Sequence, residues 1–192
     1  CFFIRHGKRA MVNGRLQLDF RHPKVIAHAD EVVDRMVRDY GVGYIKMDYN
    51  IDAGSGTEID SDSFGDGLLR HAEAYLKWLE GVMNRYPELV IESCSTGGMR
   101  MDYAMLSRHS IQGPSDQPDY RFNARITSLG IAGVTPEQLG VWSYPKAEDN
   151  SNVVSLNMIN AMLGRIILSG QLADLSPENF ELVREAVSVY KK

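Results

Sequence analysis

Asp48 closes a β-rich run, Tyr44-Ile45-Lys46-Met47-Asp48-Tyr49-Asn50. Side chains alternate along a strand, so Lys46, Asp48 and Asn50 share one face. A lysine and a carboxylate buried two residues apart are costly unless they pair or serve a ligand. Together they would bind hydroxyl groups and keep Asp48 ionised, as a carboxylate nucleophile requires. A structural ion pair at a strand end accounts for the same spacing equally well.

A second carboxylate, Asp116, lies in Gln112-Gly113-Pro114-Ser115-Asp116-Gln117-Pro118-Asp119. Gly-Pro before it and Gln-Pro after it stiffen the backbone, which suits an acid that must hold its position. Turns also use aspartate often, and Asp119 reads more simply as a helix cap. Between the two carboxylates runs Glu92-Ser93-Cys94-Ser95-Thr96-Gly97-Gly98-Met99-Arg100-Met101-Asp102. Small residues and paired glycines let backbone approach a ligand and present its N–H groups. The phosphate-loop spacings are absent, and a tight turn with Arg100 and Asp102 pairing locally is the plainer reading. His6, His22, His28, His71 and His109 form no ligand pattern, and no Ser-His-Asp set can be assembled, so no metal and no cofactor is expected. His22 and His28 read as helix-surface residues.

These groups need elements to carry them. Short β-rich runs alternate with longer helical ones along all 192 residues. Strands are expected at Leu16–Phe20, Tyr44–Asp48, Leu89–Cys94, His109–Gly113, Gln138–Trp142 and Gln171–Leu175. Helices are expected at about Pro23–Tyr40, Gly67–Tyr86, Asp119–Leu129 and Asn152–Leu168, with a short one after Gly98 and a last one after Ser176-Pro177. A polar loop spans Ile51–Asp66. Such alternation implies parallel strands with right-handed crossovers. Asp48, Cys94, Asp116 and Trp142 fall at several different strand ends rather than at one switch point. That distribution favours a (β/α)8 barrel, α/β in class, present here in about six units of one domain, residues 1–192, with upstream strands missing.

Composition restricts the functions open to this chain. At 44% hydrophobic and 24% charged it is globular, and a net charge of −4 with interspersed signs gives no footprint for nucleic acid or an anionic membrane. No apolar run is long enough to span a bilayer. The N-terminus makes a poor signal peptide and reads as a cut edge. Two cysteines, Cys1 and Cys94, make neither a disulfide framework nor a zinc site, so a cytoplasmic location is the default.

Taken in order, these motifs resemble glycoside hydrolase family 36, the retaining α-galactosidases and their α-N-acetylgalactosaminidase relatives. Asn13–Asp19 is similar to the family's GRNQLVLD-type strand, and Tyr44–Asn50 to its YIKWDMN strand. Cys94–Asp102 looks like its CSSGGGRFD loop, and Ser115–Asp119 resembles the end of its WTSDNTD motif. Ser143-Tyr144-Pro145 and Gly170–Lys192 look like its last two barrel units. The resemblance implies Asp48 as nucleophile and Asp116 as acid/base. It implies that Arg15, Lys46, Asn50, Cys94 and Gly97 contact the sugar.

Three departures stand out. Met47 replaces a Trp on the face away from the pocket. Gln112-Gly113-Pro114 replaces the segment carrying the family's Trp. The upstream strands with their paired aspartates, and the flanking β-domains, are not in this sequence. The implied substrate is an α-galactoside oligosaccharide, with homo-oligomers formed through regions outside this chain. An α-N-acetylgalactosaminidase or other α-glycosidase is the alternative, and an inactive or sugar-binding fragment the alternative of a different class.

Overall fold

Each helix begins where a side chain can take the amides that a first turn leaves open. In the computed structural model, which describes residues 1–50 and 52–192, His22 accepts from the Lys24 amide at the start of α1 (Pro23–Arg38). Ser63 caps α2 (Phe64–Arg85), and Asp102 caps the short α3 (Tyr103–Leu106). Asp119 caps α4 (Tyr120–Gly130), Asn150 caps α5 (Ser151–Ala161) and Ser176 caps α6 (Pro177–Tyr190). Among the described residues no helix is long and apolar enough to cross a membrane. Ile51, the first residue of the predicted polar loop, lies outside the described residues.

The chain divides into two compact units, Cys1–Ile91 and Glu92–Lys192. The first opens with two antiparallel hairpins, β1 (Ile4–Arg5) with β2 (Lys8–Arg9) and β3 (Met11–Val12) with β4 (Arg15–Leu16). Their two-residue turns, His6-Gly7 and Asn13-Gly14, both have positive φ at each position, the geometry that matches strand twist. The expected strand over Leu16–Phe20 does not form as a unit. Arg15 and Leu16 belong to the hairpin, Leu18 makes one bridge to Phe2, and the chain then turns as the His22 amide donates to the Asp19 carbonyl. The next strand, β5 (Tyr44–Asp48), lies where the sequence predicts it. Phe20 packs edge-on against Tyr75, with ring centroids 5.0 Å apart, and lies 5.1 Å from Trp78. Phe3, Leu79 and Val82 are fully buried in the same unit.

The unit boundary falls inside β6 (Val90–Cys94). From Glu92 onward the strands are parallel. Glu92 and Ser93 pair with Ile111 and Gln112 of β7 (Ile111–Gln112), and Gln112 bridges to Leu139 at the start of β8 (Gly140–Ser143). Then β8 runs parallel to β9 (Arg165–Leu168) over four residue pairs. Helices α3, α4, α5 and α6 follow these four strands in turn, so the second unit is a βα series, as the alternation predicts. Leu139, Val141 and Ala161 are fully buried and pack with Val134.

Two sequence expectations fail at the end of the chain. The helix expected over Asn152–Leu168 stops at Ala161, and its last residues form β9. The strand expected over Gln171–Leu175 is instead a 3-10 turn, Leu172–Asp174. Gly164 explains the break. A Cβ there would stand 2.4 Å from the Leu139 carbonyl oxygen, so the chain passes against β8 at a point no side chain tolerates. Ile166 and Ile167, both β-branched, then continue as strand. Apolar residues on both sides of Gly164, Ala161–Leu163 and Ile166–Leu168, hid this boundary.

Asp19, almost fully buried, organises the first unit. The Arg21 guanidinium grips it through both oxygens, as close as 2.6 Å, and His71 Nδ1 stands 3.7 Å away. Burial opposes the ionised carboxyl, but His71 and Arg21 hold it well below the usual carboxylate range. The Phe20 amide already donates to His71 Nδ1 at 3.1 Å, so the Arg21 fork is the stronger hold. A depressed carboxylate pKa gives stability that is full above the unfolded value near pH 4 and is lost as pH falls below it. Asp19→Asn in the full-length protein should therefore cost about 1–3 kcal/mol at neutral pH, since it takes the charged partner from the half-buried Arg21. It should also flatten the loss of melting temperature as pH falls from about 4 toward 2, measured by calorimetry; an unchanged acid limb would contradict the assignment.

Candidate active site

In the first unit, β5 alternates as its spacing predicts. Ile45 and Met47 are half-buried, and the Tyr75 hydroxyl donates to Met47 Sδ at 3.8 Å, so that face lies on α2. Tyr44, Lys46 and Asp48 are exposed on the opposite face. The burial expected for Lys46 and Asp48 is therefore corrected: the apolar alternates took the helix side, and the polar ones were left open to solvent. Arg15 Nη1 donates to the Asn50 carbonyl oxygen at 2.6 Å, which brings two predicted sugar-contacting positions together through the backbone. The Tyr49 hydroxyl donates to the buried Gln17, a second tie between the stretch around Arg15 and the end of β5. Nothing in the sequence singled out that tyrosine.

In the second unit, β6 carries Glu92 and Cys94 on one face, 2% and 1% exposed. Beyond Cys94 the chain makes a tight turn. Thr96 and Gly97 take φ of 45° and 81°, and the Ser95 amide donates to the Gly97 carbonyl at 3.0 Å. The turn presses against the loop after β7. A Cβ on Gly97 would stand 2.5 Å from Ser115 Cα, and one on Gly98 would stand 2.8 Å from the Pro114 carbonyl oxygen. Asp116, the next residue, is exposed. Ser115 Oγ accepts from the Gln117 amide and Gln117 Oε1 from the Asp119 amide, each at 3.0 Å, so the loop holds its shape by side-chain bonds to its own backbone.

Tyr144, just past β8, belongs to this cluster. Burial, then the electrostatic influence of Asp116 and Cys94, pushes its phenol above the ordinary value. The sequence pointed to no role for Tyr144 or Glu92. The alternation of β6, which sets Glu92 on the same side as Cys94, was the available signal for Glu92. Asp119 and Asp102 take the plainer reading. Asp119 caps α4 and pairs with Arg121 at 3.2 Å, and Asp102 caps α3. His22 is a cap rather than a bystander on the helix surface.

The close approach at Gly97 generates a direct test. Gly97→Ala should lower stability by about 1–3 kcal/mol and loosen the Ser115–Asp116 loop, because both φ and space exclude a side chain. Faster amide hydrogen exchange at Ser115–Gln117 in the full-length variant is the expected readout. Unchanged exchange with unchanged melting would refute it.

A family model described as Melibiase matches residues 2–192. The chain is 27% identical over 172 residues to an α-galactosidase of Lactobacillus acidophilus, covering 85% of this chain and 23% of that protein. It is 28% identical over 198 residues to a bifunctional α-galactosidase/sucrose kinase of Mediterraneibacter gnavus, covering 98% and 20%. Among solved structures it superposes on the α-galactosidase of Lactobacillus brevis with a TM-score of 0.85 at 20% identity, covering 99% of this chain and 26% of that one. A glycoside hydrolase family 36 α-galactosidase variant from Geobacillus stearothermophilus, solved in complex with raffinose, gives 0.84 at 19% identity, covering 100% and 27%. The chain thus spans about a quarter of the length of the relatives it matches. With its strand-end motifs in order and a match from residue 2 to residue 192, the chain belongs to the melibiase family.

Proposed function

We propose that the protein containing this chain is a retaining α-galactosidase that releases terminal α-linked galactose from oligosaccharides. The observation that carries the reading is the placement of two exposed carboxylates, Asp48 at the end of β5 and Asp116 beyond the end of β7, in a melibiase-family chain. Residues 1–192 are proposed to be part of one (β/α)8 barrel domain, whose strand ends carry the chemistry. Raffinose and stachyose in the Geobacillus stearothermophilus complexes support an α-galactosyl oligosaccharide as substrate. A cytoplasmic location is proposed, since two cysteines make no disulfide framework in this part of the protein.

In the first half-reaction an Asp48 carboxylate oxygen attacks the anomeric carbon. The bond to the leaving oxygen breaks as Asp116 gives up its proton to that oxygen. In the second, water attacks the same carbon, Asp116 takes the water's proton, and the bond to Asp48 breaks, so configuration is retained. Arg15, Lys46 and Asn50 are proposed to bind sugar hydroxyls. Cys94 and Gly97, both buried in this structure, are proposed sugar contacts on the strength of the family motif. Gly97 is backed directly onto Ser115 and Cys94 is buried, which favours a plain 2-hydroxyl over the bulkier acetamido group of an α-N-acetylgalactosaminide.

The test is kinetic, on the full-length enzyme. Asp48→Ala should abolish turnover, and azide should not restore a retained product. Asp116→Ala should lose about 10²–10⁴-fold on a natural oligosaccharide but much less on an activated aryl α-galactoside, whose leaving group needs little protonation. Equal losses on both substrates would remove Asp116 from the acid role.

A further inference from the structure

Tyr144 is the first residue beyond β8, and Trp142 lies two residues before it on the same side of the extended chain. Their rings stack, with centroids 6.1 Å apart and planes 14° apart. One face of Tyr144 is therefore backed by an indole, which fixes the phenol ring against rotation. The ring is half-buried, and it lines one cavity with Gln117, the residue after Asp116. Gly113, which opens the Asp116 loop, has no side chain to fill this region. A Cβ there would still be 3.8 Å from Trp142 Nε1. The aromatic surface beside Asp116 comes from β8.

Two cavities open on Tyr144 and Lys146. The first, about 250 Å³, borders the residues that follow Asp116 and is lined by Gln117, Asp119, Asp149 and Asn157. The second, about 270 Å³, is bordered by Glu148, Ser169 and Gln171. One lysine faces several carboxylates and amides, a mixture that suits a neutral, hydroxyl-rich ligand and repels a phosphate. An acid/base carboxyl protonates the oxygen of the departing group. Space along the loop that carries Asp116 is therefore space for the leaving group, not for the galactosyl ring.

We propose that Tyr144, backed by Trp142, is the aromatic wall of a leaving-group subsite that takes a neutral sugar ring. The apolar C–H face of the ring lies on the phenol, and its hydroxyls reach toward Lys146 and Gln117. Tyr144 is then a specificity-determining residue: it stabilises a sugar leaving group in the transition state and does nothing for a leaving group too small to reach it. The inference rests on Asp116 as the acid/base of an α-galactosidase.

The full-length enzyme should be assayed on an α-galactosyl disaccharide and on α-galactosyl fluoride, whose leaving group has no ring and needs no acid. Tyr144→Ala should lose about ten- to a hundredfold in kcat/KM on the disaccharide, mostly through KM, and less than about threefold on the fluoride. Tyr144→Leu, which keeps bulk without a stacking face, should show the same selective loss. Tyr144→Phe should restore the wild-type ratio between the two substrates. Equal losses on both substrates, or none on the disaccharide, would overturn the subsite. If the wild-type enzyme hydrolyses neither compound, the α-galactosidase reading itself fails and the subsite fails with it.

Discussion

No side chain fits between Gly97 and the backbone of Pro114 and Ser115. That single approach couples the turn after β6 to the loop after β7, and the rest of the second unit's site depends on it. The Gly97 turn follows directly from buried Cys94, and the Pro114–Ser115 segment leads directly to exposed Asp116. A carboxyl at a fixed place relative to a buried thiol is what results. Prolines on either side of Asp116 and the Gln117 bond to the Asp119 amide keep the loop from drifting once it is pressed there. Pre-organisation of this kind spares a catalytic group the reorganisation that a mobile loop would need at each turnover.

Buried amide side chains do similar work at the other strand ends. Gln112 Nε2 donates to the Gly113 carbonyl at 2.8 Å, and Asn123 Nδ2 to the Trp142 carbonyl at 2.8 Å. Gln138 Nε2 reaches the Leu106 and His109 carbonyls at 2.6 and 2.8 Å, and Asn179 Nδ2 reaches the Asp149 carbonyl at 2.8 Å. Strand ends and irregular loops leave backbone carbonyls that no ladder satisfies, and each unsatisfied one inside the protein would cost free energy. Helices α4 and α6 thereby hold the backbone at Trp142 and Asp149, on either side of Tyr144. The buried polar content of this unit, Glu92, Gln112 and Ser143 included, is high for a packed interior, and it lies in the strands whose ends carry the candidate site.

Much of the local structure was legible in the sequence because it rests on short-range rules. The alternation of Tyr44–Asp48 placed Lys46 and Asp48 on one face and Met47 on the other, as found. Asp119 read as a cap, and it is one. Asn13-Gly14 is a hairpin turn that the expected strand over Leu16–Phe20 left out of account, and the hairpin ends at Leu16. The boundary between α5 and β9 was not legible, because short apolar stretches flank Gly164 on both sides and such stretches fit helix or strand alike.

The sequence by itself determined the strand–helix alternation as far as β8, the capping residues of several helices, and the alternation that sets Lys46 and Asp48 on one face of β5. Each of these is written within a few residues, in capping side chains, alternation and turn chemistry. Only the tertiary structure decided that Gly97 backs onto Ser115, that Arg15 reaches the Asn50 carbonyl, that Gly164 must end a helix against Leu139, and that Tyr144 stands near Asp116. These contacts join segments distant along the chain. Local spacing does not encode them, because they arise from how closely one backbone can pack on another when no side chain stands between them.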